Sequence, residues 1–117
     1  MILVYTGDGK GKTSACVGQA VRAMGQGLSV VAWAQVQLEQ VDMLVLDETL
    51  YALSAGILEQ QELEQIIALA RASNRHLVLS GRNAPHWLVE SADLVTSMTE
   101  IKHPWRTGVK AAPGIEF

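Results

Sequence analysis

Thr6-Gly7-Asp8-Gly9-Lys10-Gly11-Lys12-Thr13, with Ser14 behind it, is the stretch on which the fold turns. It follows Ile2-Leu-Val-Tyr-Thr6, a short continuous apolar run of the kind that forms a buried parallel strand. Beyond it, Thr13, Cys16, Val17, Ala20, Val21 and Met24 recur at three- and four-residue spacing. That spacing predicts a helix with one buried stripe, ending near Gly25 and Gly27. A strand, a glycine-rich turn and a Gly-Lys-Thr that opens a helix together read as a phosphate-binding loop for a nucleoside triphosphate. Glycines reach positive φ and let backbone N–H groups close around phosphate oxygens. The helix N-terminus adds about half a positive charge at the same point. The expected contacts run through Thr6, Gly7, Asp8, Gly9, Lys10, Gly11, Lys12, Thr13 and Ser14. Lys12 would reach the phosphate oxygens, and the Thr13 hydroxyl would ligate Mg²⁺ or Mn²⁺. Lys10 reads equally as a solvated lysine or as a second phosphate contact. The usual pattern is G-x-x-x-x-G-K-[ST]; here Thr6 stands in place of its first glycine, and Gly7 makes the loop one residue shorter.

Outward from the loop, Ser29–Gln35 reads as a second strand and Val41–Asp47 as a third. Glu59–Asn74 is the clearest helix, with Glu59, Glu62 and Glu64 early and Arg71 and Arg75 late, as the macrodipole favours. Its core face would carry Leu63, Ile66, Ile67 and Ala70. His76–Ser80 reads as a fourth strand, Pro85–Ser91 as a short helix and Asp93–Ser97 as a fifth strand, followed by an irregular tail. Alternating strands and helices predict an α/β domain: one P-loop NTPase-like unit over 1–117, three-layered α/β/α, with a mainly parallel sheet covered on both faces. One connection breaks the pattern. Only five residues, Val36–Gln40, separate the expected second and third strands, whereas a parallel crossover needs about 10–12. Either the two strands are antiparallel neighbours or a segment between them is absent.

Met43-Leu-Val-Leu-Asp47-Glu48 is an apolar strand ending in two carboxylates. An acid at the C-terminal edge of a strand beside a phosphate loop can hold a metal opposite Thr13, and Asp47 is the candidate. Glu48 reads as a group behind the metal ligands, as a water-activating base or as a helix-start acid. Arg82, in Ser80-Gly-Arg82-Asn83 at the same sheet edge, reads as a phosphate clamp or as a turn arginine at the surface. Cys16, the lone cysteine, reads as a small core residue. His86 and Trp87 read as packing or surface residues, and His103 lacks any companion at metal-ligand spacing. No Ser/His/Asp or Cys/His arrangement for covalent catalysis stands out.

With 49% hydrophobic and 18% charged residues, the chain can bury a core. A net charge of −3 gives no electrostatic footprint for nucleic acid or an anionic membrane. No apolar run approaches the ~20 residues that span a bilayer. Met1 leads straight into a strand without a basic leader, so the chain reads as cytoplasmic.

These residues together resemble the ATP:corrinoid adenosyltransferases. The likeness rests on the short loop Thr6–Ser14, the strand end Val45-Leu-Asp-Glu48, Ser80-Gly-Arg82, and a tail of Lys102-His103, Gly108-Val-Lys-Ala111 and Gly114-Ile-Glu-Phe117. The one-residue-short loop is that family's own form. The resemblance implies that Co(I) of a reduced corrinoid attacks the 5′ carbon of ATP and expels triphosphate. It makes Lys12, Asp47 and Glu48 the catalytic set, with ATP as co-substrate. It also implies a homodimer and a flavoprotein reductant as partners. Family members carry a long stretch between the second strand and the Asp-Glu strand that contributes to the corrinoid pocket; here it is absent between Gln35 and Val41. Two other readings compete: an ATP-binding remnant without catalysis, and a P-loop ATPase or small kinase in which Glu48 orients water or a hydroxyl.

Overall fold

The computed structural model describes residues 1–32, 40–102, 106, 108 and 110. Its order is β1 (Ile2–Thr6), α1 (Lys12–Gly25), β2 (Val30–Ala32), β3 (Met43–Leu46), α2 (Thr49–Ser54), α3 (Gln60–Ala72), β4 (His76–Ser80), α4 (His86–Ser91) and β5 (Leu94–Ser97). The strands form one sheet in the order β2-β3-β4-β1-β5, and every described pairing is parallel.

The central strands are apolar along their middles because both faces are covered. Ile2 and Val4 of β1 point to one side with Leu44, Leu77 and Leu79, where Leu50, Leu63, Ile67, Ala70 and Leu88 from α2, α3 and α4 meet them. Leu3, Met43, Val45 and Val78 point to the other, against Cys16 and Ala23 of α1. This alternation is the two-residue period of a strand, and it gives the expected three-layer α/β/α architecture. α3 starts in a capping box: the Glu59 and Glu62 side chains each accept from the other's end of the first turn, with Glu59 N–H to Glu62 Oε2 at 2.8 Å.

Four expectations change. β2 and β3 are parallel neighbours, with Val30 opposite Met43 and Ala32 opposite Val45, so the antiparallel alternative is excluded. Ser29 and Asp42 fix that register. The Ser29 N–H and hydroxyl both donate to Asp42 Oδ2 at 2.8 Å, and the Asp42 N–H donates to Ser29 Oγ at 2.9 Å. β3 therefore begins at Met43 rather than Val41, which leaves ten residues between Ala32 and Met43; the expected extension of β2 to Gln35 lies outside the described residues. Second, the stripe on α1 is not wholly buried: Cys16 is, but Val17, Val21 and Met24 are 57%, 58% and 54% exposed. These side chains share a helical face that borders a small apolar cavity with Val45 and Asp47, and no described element covers it. Third, the sheet's cover stops short of β5, whose residues are all exposed at the edge beside β1. Fourth, α2 is a six-residue helix signalled in the sequence only by the helix-start reading of Glu48, its N-cap, and it is seated by Leu50, which is 1% exposed.

Candidate nucleotide-binding site

β1 runs into the loop at the carboxyl edge of the sheet, where ligands bind in open α/β folds. Gly7 and Gly11 have φ of 100° and 101°, in the region that glycine alone enters freely. Gly11 is the N-cap of α1 and offers no side-chain cap, so the first-turn N–H groups of the helix face the loop. The loop is braced from outside by the residues after β5. Met98 N–H donates to Thr6 O at 2.7 Å, and Gly9 N–H donates to Met98 O at 2.8 Å. A Cβ at Gly7 would lie 2.3 Å from Met98 O, and one at Gly9 would lie 2.9 Å from it. Both glycines are required by this close backbone approach.

Lys12 is 7% exposed, and its Nζ donates to Gly7 O and Gly9 O, each at 2.8 Å. The ammonium is thereby folded into the curve of the loop. A cavity of about 280 Å³ opens there, lined by loop residues 9–14 together with Glu48 and Arg82. A second, of about 460 Å³, lies between Gly7, Asp8, Arg82 and the stretch Ser97–Glu100, with Arg106 at its rim. Arg106 pairs with Glu100 at 2.9 Å.

Opposite the loop, β3 ends at Asp47. The Thr13 hydroxyl donates to Asp47 Oδ2 at 2.8 Å, joining the start of α1 to the end of β3. Asp47 Oδ1 accepts from the Ser80 hydroxyl, and Ser80 Oγ accepts the Glu48 N–H at 3.0 Å. Glu48 itself has φ 56° and caps α2, with its side chain exposed on the loop cavity. Cys16 lies beneath this cluster. Burial, reinforced by the Asp47 charge, pushes its thiol up to about 11, so it stays protonated as a small core group.

The expected site residues thus converge, with differences of detail. Lys10, Gly11, Lys12, Thr13, Ser14, Glu48 and Arg82 share one cavity with Gly9; Gly7 and Asp8 line the other, and Arg82 borders both. Asp47 reaches the cluster through Thr13. Thr6 lines neither: its hydroxyl accepts Ala84 N–H at 3.3 Å, tying β1 to the turn before α4. Sequence reading missed the roles of Ser80 and Met98. Ser80 lay within a motif already singled out, but its partners are 33 and 32 residues away; Met98 acts through its backbone, which leaves no trace in residue type. His103, Val109, Ala111 and 114–117, which carried most of the tail resemblance, lie outside the described residues.

A phosphate loop facing a strand-end carboxylate, with an arginine on the adjoining turn, is common to many proteins; the comparison with known families separates them. The model of the family described as ATP:corrinoid adenosyltransferase BtuR/CobO/CobP matches residues 1–36 and 31–117. The chain belongs to this family. Among corrinoid adenosyltransferases, that of Pseudomonas aeruginosa is 30% identical over 172 aligned positions, covering all of this chain and 83% of the relative. That of Salmonella typhimurium is 27% identical over 169 positions, covering all of this chain and 85% of the relative. One from a Sinorhizobium species is 38% identical over 100 residues, 82% of this chain and 47% of the relative. The two longer alignments exceed this chain's 117 residues, so those corrinoid adenosyltransferases hold internal residues with no counterpart here. The family match is itself split, its two pieces meeting at residues 31–36, beside the β2–β3 connection. A crystal structure of a DNA replication initiation factor superposes with a TM-score of 0.58 at 17% identity, covering 83% of this chain and 39% of the other. At that identity the likeness concerns the fold alone. Among the described residues no helix is long and apolar enough to cross a membrane.

Proposed function

We propose that this chain transfers the 5′-deoxyadenosyl group of ATP to the Co(I) of a corrinoid and releases triphosphate, acting as one P-loop nucleotide-binding domain over 1–117. The observation that carries the reading is the cavity of Lys12, Thr13 and Arg82 at the phosphate loop in a chain of the corrinoid adenosyltransferase family. In the reaction, a lone pair of Co(I) forms the bond to C5′, the C5′–O bond breaks, and its electrons leave with the triphosphate. A nucleophile of that kind needs no proton removed, which suits a site without a His/Asp dyad. The protein's work is to hold two substrates in line and to stabilise charge on the leaving group. The N-terminus of α1 and the loop amides other than that of Gly9, which Met98 O already holds, meet the phosphates. Lys12 supplies a buried cation whose present partners, two neutral carbonyls, are weaker than phosphate oxygens. Arg82 closes the cavity from the β4 side.

Thr13 and Asp47 offer hard oxygen donors 2.8 Å apart. Among the described residues no group of three or more His, Cys, Asp or Glu could form a metal site unaided. That combination fits Mg²⁺ or Mn²⁺ held by one carboxylate, one hydroxyl and the substrate's own phosphates. When bound, such an ion neutralises charge on the triphosphate. Glu48 faces the same cavity, where its carboxylate would act behind the metal ligands, through the ion and its waters, and not on the phosphates themselves. The corrinoid, a flavoprotein reductant and a second copy of the chain complete the reading at the level of partners, in the cytoplasm.

A second reading is a nucleotide-binding form without adenosyl transfer. It is favoured by the internal residues that the longer relatives hold and this chain lacks, the family match breaking at residues 31–36. Incubation with ATP, Mg²⁺ and chemically reduced cobalamin separates the two. Triphosphate together with a cobalt–carbon chromophore is expected. ADP and phosphate would instead indicate hydrolysis, and bound but unchanged ATP the second reading.

A further inference from the structure

We propose that Ser80 is a positioning residue for the carboxylate of Asp47, its hydroxyl deciding which oxygen is turned toward Thr13. The inference rests on the reading of Asp47 as the metal-side carboxylate. Ser80 ends β4, opposite Tyr5 of β1 and one step beyond the Leu46–Leu79 pair of the β3–β4 ladder, so it lies level with Asp47. It is fully buried at the end of an apolar strand. A hydroxyl there is costly unless it is fully hydrogen-bonded.

Its proton and one lone pair go to the β3–α2 turn, and Cys16 of α1 lies in side-chain hydrogen-bond contact with the same hydroxyl. Its proton goes to Asp47 Oδ1, and its oxygen accepts the Glu48 N–H at 3.0 Å. The remaining carboxylate oxygen, Oδ2, takes the Thr13 hydroxyl at 2.8 Å. Each oxygen of Asp47 thus has its own partner, and rotating the carboxylate would break both bonds. The bond to Glu48 N–H also holds a non-glycine residue at φ 56°. The serine cannot drift, because Gly81 after it (φ 141°) leaves no room for a Cβ, which would lie 2.6 Å from Leu50 Cβ. An alanine would keep the Cβ and take away the partner of Asp47 Oδ1 and Glu48 N–H. What the hydroxyl adds is the orientation of Asp47 and the shape of its turn.

The test titrates the whole chain with ATP by calorimetry, across Mg²⁺ concentrations and in excess chelator, for wild type, S80A, D47A and the double variant. S80A should bind ATP in chelator within about twofold of wild type. The Mg²⁺ concentration that gives half of the metal-dependent gain should rise about tenfold, as outer partners of metal ligands cost when removed. In the D47A background, S80A should add nothing. S80C keeps the side-chain shape, slightly enlarged, with a poor hydrogen-bonding group; it should shift the Mg²⁺ curve the same way and serves where S80A fails to fold. A wild-type Mg²⁺ curve in S80A or S80C, while D47A loses its dependence, would overturn the role of Ser80 and leave that of Asp47. Equal weakening of ATP binding with and without Mg²⁺, or additive losses in the double variant, would also overturn it. A D47A variant with unchanged Mg²⁺ dependence would overturn both.

Discussion

The Thr13 hydroxyl donates to Asp47 Oδ2 at 2.8 Å, closing the gap between the first turn of α1 and the carboxyl end of β3. The two residues are 34 apart in sequence, and parallel strand order brings them together, since α1 packs over β3 and β4. A hydroxyl and a carboxylate in hydrogen-bond contact are already placed for a shared cation. Thr13→Val keeps the shape and removes the hydroxyl. It should lower the Mg²⁺-dependent gain in ATP affinity about tenfold while leaving binding in chelator nearly unchanged, and calorimetry in the two conditions checks this. Equal affinities for wild type and variant at all Mg²⁺ concentrations would count against a metal at Thr13.

Lys12→Ala should act differently, on binding with and without metal alike. Nζ is buried and makes two hydrogen bonds to loop carbonyls. Exchanging those for phosphate oxygens yields charge-assisted bonds worth about 1.5–3 kcal/mol. ATP affinity should fall about 10- to 100-fold in chelator. A variant that binds ATP normally would sink the loop assignment itself.

The loop glycines should rank by what stands opposite them. At Gly11 a Cβ meets only Met98 Sδ, at 3.6 Å, so Gly11→Ala carries the strain of φ 101° alone, about 1–3 kcal/mol. At Gly7 a similar φ is combined with a 2.3 Å approach to Met98 O, which belongs to backbone and cannot swing aside. Gly7→Ala should cost a further ~1–3 kcal/mol. Urea unfolding midpoints measure both; equal losses would mean that Met98 does not brace the loop.

Arg82 borders both cavities and is exposed, so Arg82→Ala should leave the thermal midpoint within about 1 °C of wild type. Adenosyl transfer should nevertheless slow about tenfold or more if the guanidinium meets the leaving triphosphate. Steady-state triphosphate release is the readout. Unchanged turnover would make Arg82 a turn residue.

The parts of this fold that are local in sequence were the legible ones. The strand–loop–helix unit at the amino terminus declares itself because Gly7, Gly11 and Lys12 perform their roles within a few residues of one another. The apolar stripe of α1 was read only halfway. Periodicity tells which side chains share a face, but whether Val17, Val21 and Met24 are covered depends on what packs there, and among the described residues nothing does. α2 was signalled only by Glu48 as a helix-start acid, because six residues hold under two turns, too short to show a period. The mutual bonds of Ser29 and Asp42, which set β2 parallel to β3, join positions that look like ordinary turn residues. Ser80 and Met98 act across the sheet, and only the strand order reveals their partners.

Acid should weaken the fold through the same kind of contact. Asp42 is held below the usual carboxylate range chiefly by the backbone and side-chain hydrogen bonds from Ser29, with help from Arg75 at 2.6 Å. Asp93 is lowered chiefly by the Ile2 N–H, at 2.6 Å, with Arg71 beside it. A carboxylate whose value is depressed on folding binds its proton less readily in the folded chain than in the unfolded one. Its contribution is therefore present above the unfolded value, about 3.9, and is lost as pH falls through the folded one. Both groups pin strand starts: Asp42 those of β2 and β3, and Asp93 that of β1. The thermal midpoint of wild type should hold steady from about pH 7 to 5 with respect to these groups and then fall steeply below pH 4. Asp42→Asn and Asp93→Asn should each lower the midpoint at pH 7 and flatten the fall below pH 4, because the variant has no proton to take up. A fall below pH 4 as steep in both variants as in wild type would show that other carboxylates drive the acid transition.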